Sequence, residues 1–119
     1  MKNIIIYIGL VVTIVGGIYV STKLKTGGVP DERLVAFAQC LAAKKITMYG
    51  AAWCSHCQRE KSHFGAAFQY VPYMECPDNQ KLCIDKGVQG YPTWIDAAGI
   101  KYEGKQGLGG LSKITGCIL

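Results

Sequence analysis

The order of local patterns along this chain predicts an α/β fold, a small mixed sheet with helices on both faces, preceded by a single N-terminal transmembrane helix. Three observations carry that reading. An uncharged apolar run opens the chain, helix-period and strand-period stretches then alternate, and a Gly-containing turn joins the last two short strands. The 119 residues suffice for one domain and hardly two. The apolar fraction of 50% excludes a disordered chain. Thirteen basic residues are interspersed with eight acidic ones and form no long run, so no nucleic-acid partner is expected.

Ile4 to Val20 carry no charge, with Lys2 before them and Lys23 and Lys25 after. As a helix, residues 4–22 would be about 28 Å long, close to the ~30 Å core of a bilayer. A cleaved signal peptide has a shorter apolar region and small residues before the cut, and no Ala-x-Ala follows here. Residues 1–22 are therefore read as an anchor or uncleaved signal, 23–30 as a linker punctuated by Gly27, Gly28 and Pro30, and 31–119 as the domain.

Pro30 and Asp31 suit a first helical turn, and Leu34, Phe37, Ala38 and Leu41 continue it as an apolar stripe bordered by Cys40. Lys44 and Lys45 suit its last turn, and Ile46–Tyr49 reads as a strand. Gly50, Ala51 and Ala52 lead to Trp53-Cys54-Ser55-His56-Cys57. In the helix expected next, Cys57, Lys61, Phe64 and Phe68 share a face, with Lys61 the polar exception and Gly65 the weak point. Val71–Glu75 reads as a strand with Pro72 at its start or on an edge. Pro77-Asp78 opens a short helix through Lys86 that Gly87 stops. Thr93–Asp96 and Ile100–Glu103 form a hairpin, and Leu108, Leu111 and Ile114 mark a last helix weakened by Gly109 and Gly110.

Cys54-x-x-Cys57 is the sharpest chemical signal. On a helix, positions i and i+3 lie about 5–6 Å apart at Cβ, so the two sulfurs can meet. Cys54 falls where a strand ends and a helix begins, and unpaired N–H groups there favour a thiolate. A protonated His56 would add a second stabilising charge. Cys57, one turn in, stands where a resolving thiol belongs. Zinc ligation and an inert bridge are the competing readings. Zinc would need a second pair at short spacing, and Cys76 and Cys83 are too far apart for that, so no metal is expected. Pro77 places Cys76 before the helix that carries Cys83, which allows a structural disulfide between them. Cys40 is read as a buried free cysteine, and Cys117 is left as free, paired or exposed.

Trp-Cys-x-x-Cys at a strand-to-helix junction, followed by Pro92-Thr93 before a hairpin, resembles the thioredoxin fold superfamily. The resemblance covers about Asp31 to Cys117. Met48 to Cys57, Phe68-Gln69-Tyr70-Val71, Gly90 to Trp94, and Glu75-Cys76 with Cys83 look closest to the thioredoxin-like domain associated with bacterial and plant-type homologues of vitamin K epoxide reductase. The resemblance implies that Cys54 is the nucleophile and Cys57 the resolving cysteine, with the redox-active disulfide in place of any cofactor. It implies that Pro92 is cis and packs against the pair, with the backbone around Tyr91 and the ring of Trp53 meeting substrate, and it supports a Cys76–Cys83 bridge. Two positions depart from thioredoxins proper: Met48 stands where they have a buried aspartate, and Ser55-His56 where they have Gly-Pro. Both lean towards oxidation of exported client proteins by an anchored domain on the oxidising side of a membrane, recharged by a quinone-coupled, vitamin K epoxide reductase-like membrane partner. A reductase or isomerase, or a non-catalytic binding module, are the alternatives.

Overall fold

The computed structural model describes residues 3–8, 11 and 28–119. Residues 3–8 and 11 are helical. The anchor expected over 1–22 and most of the linker over 23–30 fall outside the described residues, and no helix among the described residues is long and apolar enough to cross a membrane.

The domain runs through α1 (Glu32–Ala43), β1 (Thr47–Gly50), α2 (Ser55–Ser62), a 3-10 segment (Gly65–Tyr70), β2 (Tyr73–Glu75), a 3-10 turn (Cys76–Asp78), α3 (Gln80–Asp85), β3 (Thr93–Ile95), β4 (Lys101–Glu103) and α4 (Gly107–Thr115). The sheet order is β2-β1-β3-β4, with β1 parallel to β2 and the other pairs antiparallel. Strand side chains alternate between faces. Met48, Trp94 and Tyr102 therefore share one face, and they pack with Phe37 and Leu41 of α1, Cys57 of α2, Phe64, and Leu111 of α4. Tyr49 and Ile95 point to the other face, with Cys76 and with Cys83 of α3. The sheet is thus covered on both faces, unequally.

Local chemistry shifts several expected boundaries. Asp31 lies outside α1 as its N-cap, accepting from the Arg33 N–H at 2.9 Å. Lys44 and Lys45 lie past the helix end, and Lys45 takes a left-handed φ of 57° where the chain turns into β1. The helix expected from Cys57 to Phe68 stops at Ser62: Gly65 adopts φ 53°, which an α-helix cannot carry, and the chain continues as 3-10. Pro72 precedes β2, so that edge strand is only three residues long.

The reading of Cys40 as a free thiol is corrected. It is joined to Cys117 with their Cα atoms 5.9 Å apart, clasping α1 to the segment after α4 across 77 positions. A second bridge joins Cys76 to Cys83. Cys54 and Cys57 are the two free cysteines.

Candidate active site

The site begins with how α2 begins. Gly50, Ala51 and Ala52 leave the C-terminal end of β1, and the Cys54 N–H closes a turn onto the Ala51 carbonyl at 3.1 Å. Gln58 reaches back from α2 to donate to the Ala52 carbonyl at 2.7 Å. Cys54 is the N-cap residue, and its Sγ accepts from the Cys57 N–H at 3.2 Å. The sulfur thereby pairs one of the N–H groups that a helix start leaves without an intrahelical partner.

The two sulfurs lie 2.7 Å apart, within reach of a bond. Cys54 is 7% exposed and Cys57 is 0% exposed, so only the first can meet a macromolecular substrate. Burial, together with the hydrogen bond to Cys54, pushes the Cys57 thiol up to about 12. Lys61 opposes that rise.

Opposite the pair lies the loop before β3. Tyr91–Pro92 is cis, Pro92 is buried, and the Tyr91 carbonyl faces Cys54 Sγ at 3.8 Å. Trp53 is 72% exposed and sets its ring edge-on to Tyr91, with centroids 5.9 Å apart. His56 is exposed in the first turn of α2. Cys57 and the Tyr91 carbonyl therefore meet around the Cys54 sulfur, with Trp53 packed on Tyr91 and Pro92 next in the chain, and Tyr91 also packs against the cluster that holds the Cys76–Cys83 bridge. Cys83, Trp53 and Tyr91 line a groove of about 430 Å³ with Pro77, Ile84 and Val88.

Behind the pair stand residues to which sequence reasoning assigned no part in the site. Glu60, 0% exposed, accepts from the Trp94 indole at 3.1 Å and from the backbone N–H groups of Gln106 at 2.9 Å and Gly107 at 3.1 Å. It ties the redox helix to β3 and to the start of α4. Its signal was its place three residues after Cys57, an acid on an apolar face. Lys61, the polar exception of that face, lays its ammonium 3.5 Å over the Tyr73 ring. Tyr73 donates to Glu75 Oε2 at 2.5 Å, and Glu75 Oε1 accepts from the Ala52 N–H at 2.8 Å. Burial and the bond to Glu75 hold the Tyr73 phenol above its usual range, and that same bond holds Glu75 below the usual carboxylate range.

The mixed sheet with helices on both faces is consistent with a thioredoxin-like fold, and the site is a close pair of free cysteines at a helix start. The comparisons agree with that fold. The chain is 37% identical over 86 residues to thiol-disulfide oxidoreductase LTO1 of Arabidopsis thaliana, covering 65% of this chain and 22% of that protein. It is 30% identical over 83 residues to protein disulfide isomerase-like 2-2 of Oryza sativa subsp. japonica, covering 59% and 22%. It is 32% identical over 74 residues to the thioredoxin domain-containing protein 5 homolog of Drosophila melanogaster, covering 53% and 17%. No family model matches the chain. The chain spans 22% or less of the length of these curated relatives. At the level of this domain, the similarity supports a thiol–disulfide oxidoreductase of thioredoxin type.

Proposed function

We propose that the chain is a membrane-anchored oxidoreductase exchanging disulfides with exported client proteins through Cys54 and Cys57. Cys54 forms the mixed disulfides: a client thiolate attacks it and Cys57 leaves, Cys57 resolves the adduct with the recharging partner, and Trp53 and the Tyr91–Pro92 loop receive the client strand. The observation that carries this reading is the asymmetry of the pair: one sulfur held by a helix N–H under an exposed tryptophan, the other fully buried. Two further disulfides in so small a domain favour the oxidising side of a membrane, as the uncharged run over 4–22 favours anchoring. The net direction we assign is oxidation, with the bridge regenerated by a quinone-coupled membrane protein of the vitamin K epoxide reductase type. The sequence resemblance and the Met48 and His56 positions support this direction.

A second reading, isomerisation, draws on the relative named as protein disulfide isomerase-like and on the buried Cys57 thiol. A resolving thiol that stays protonated lengthens the life of the mixed disulfide.

The deciding experiment is trapping with Cys57→Ala. Mixed disulfides through Cys54 should accumulate, and identifying the attached proteins names clients and membrane partner. Absence of any adduct would point to a binding module instead. Alkylation of the native pair in cells separates the two redox readings: a mostly oxidised pair supports oxidation, a mostly reduced one the alternative. A reduction potential near about −270 mV would overturn the oxidising direction.

A further inference from the structure

Thiol–disulfide exchange at Cys57 poses a proton problem. The thiol must lose its proton to attack, yet it is fully buried and Met48 offers no base. The space above Gly50 holds an alternative. A Cβ on Gly50 would lie 2.9 Å from Cys57 Sγ, 3.3 Å from Tyr73 Cε2 and 3.4 Å from the Tyr73 hydroxyl. The missing side chain leaves the thiol and the phenol bordering one small space, which the proton has to cross when the thiol turns away from Cys54 Sγ. Tyr73 donates onward to Glu75, whose carboxylate is only partly buried. Lys61 fixes the Tyr73 ring from above.

We propose that Tyr73 and Glu75 form the proton path that serves Cys57, carrying its proton from the buried sulfur to a carboxylate at the surface. The proposal rests on the exchange reading above. In the recharging step Cys57 Sγ attacks Cys54 Sγ in the mixed disulfide that Cys54 forms with the oxidising membrane partner. The Cys54–Cys57 bond forms, the bond from Cys54 to that partner breaks, and the electron pair leaves on the partner's sulfur. The Cys57 proton passes to the Tyr73 oxygen as the phenolic proton passes to Glu75, which releases it to water. When a client thiolate attacks the Cys54–Cys57 bond the step runs in reverse, and Cys57 leaves and takes its proton back along the same path. Tyr73 begins and ends neutral, and no further oxidant or reductant is needed. The titratable and charged groups around the thiol are Cys54 at the N-cap of α2, Lys61 in α2 and Tyr73 in β2, with Glu75 reached through Tyr73.

The test uses the full reduced chain and an aromatic disulfide whose leaving thiolate is coloured. A first phase, proportional to reagent concentration, reads Cys54. A second, independent of concentration, reads Cys57. With a built-in base the wild-type second phase is flat with pH across the neutral range. Glu75→Gln keeps an oxygen for the Ala52 N–H but removes the base, and Tyr73→Phe keeps the ring under Lys61 but removes the relay. Each should slow the second phase at least tenfold at pH 7, leave the first unchanged, and recover as pH approaches the range where Cys57 ionises by itself. A merely structural role predicts no such recovery. If the wild-type second phase instead rises tenfold per pH unit from acid to alkaline conditions, or Glu75→Gln matches wild type throughout, the path is refuted. The wild-type profile decides even if a variant fails to fold. Failure of the exchange reading looks different, because no second phase would then occur at all.

Discussion

Glu60 gives the most direct test of how the redox helix is held. Its carboxylate takes N–H groups from three places: the buried Trp94 indole in β3, and the Gln106 and Gly107 amides at the start of α4. Glu60→Ala strands all three. A buried donor without a partner costs about 1–3 kcal/mol. Trp94 is 0% exposed, so its indole contributes about 2 kcal/mol. The two amides are half-buried and regain some water, adding about 1–2 kcal/mol together. Removing the desolvated carboxylate returns part of this, and about 3 kcal/mol remains. Against the roughly 5–15 kcal/mol of a small domain the variant still folds. At about 4–8 °C per kcal/mol, its Tm should fall by at least about 12 °C. Glu60→Gln keeps one oxygen but sets an amide N–H against the Gly107 N–H, and should cost about 1–2 kcal/mol. Urea denaturation of both variants, with m unchanged, gives the values. An Ala variant within about 0.5 kcal/mol of wild type would refute the idea that this carboxylate ties α2, β3 and α4 together.

The Cys40–Cys117 clasp closes 77 positions, and the chain-entropy argument assigns such a loop about 4.5 kcal/mol. The paired Cys40→Ser and Cys117→Ser substitutions should lower urea stability by close to that amount, and an unchanged midpoint would show that the bridge constrains nothing. Gly50→Ala should cost about 1–3 kcal/mol by overpacking against Cys57 Sγ and Tyr73, and normal thiol kinetics in that variant would contradict the close approach. The raised Cys57 pKa makes stability of the reduced form pH-dependent. Its contribution is complete below the ordinary thiol value of about 8.5 and is lost as pH climbs through about 12. The unfolding free energy of reduced protein should therefore fall over that window while that of oxidised protein does not, and equal slopes would contradict the burial of the thiol.

What the sequence made legible was local. Periodicity and punctuation placed the order of helices and strands, because helix stripes, Pro72 and the Gly99 turn act within a few residues of themselves. They did not place the break after Ser62 nor the 3-10 turn at Cys76–Asp78 that precedes Gln80–Asp85. Cys54 and Cys57 stood out because a spacing of three is a property of one helical turn. What stayed hidden depended on packing between distant segments. Nothing near Cys40 announces Cys117; only the seating of α1 against the end of α4 brings them together. Glu60 drew no reading from the sequence, because its partners come from β3 and the start of α4, far along the chain. Tyr73 and Glu75 read as strand residues, and their relation to Cys57 follows from the parallel register that sets Gly50 beside Glu75 and Met48 beside Tyr73.

That register also explains how the domain can do without an acid at position 48. β1 lies between β2 and β3, and Met48 is 0% exposed, so a carboxylate there would have no water to share. Burial would hold it protonated and cost stability. On β2, at the sheet edge, Glu75 keeps access to solvent and is held below the usual carboxylate range by Tyr73, and so stays charged at neutral pH. Met48 meanwhile packs with Phe37, Phe64 and Trp94 in the main core. In the proposed path, holding the fold and moving the proton then fall to different strands. Core packing belongs to β1 and the buried face it shares with Glu60, and proton release belongs to β2. The two can be told apart by readout: Glu60→Ala should change stability and leave the pH profile of the second phase flat, and Glu75→Gln should change that profile.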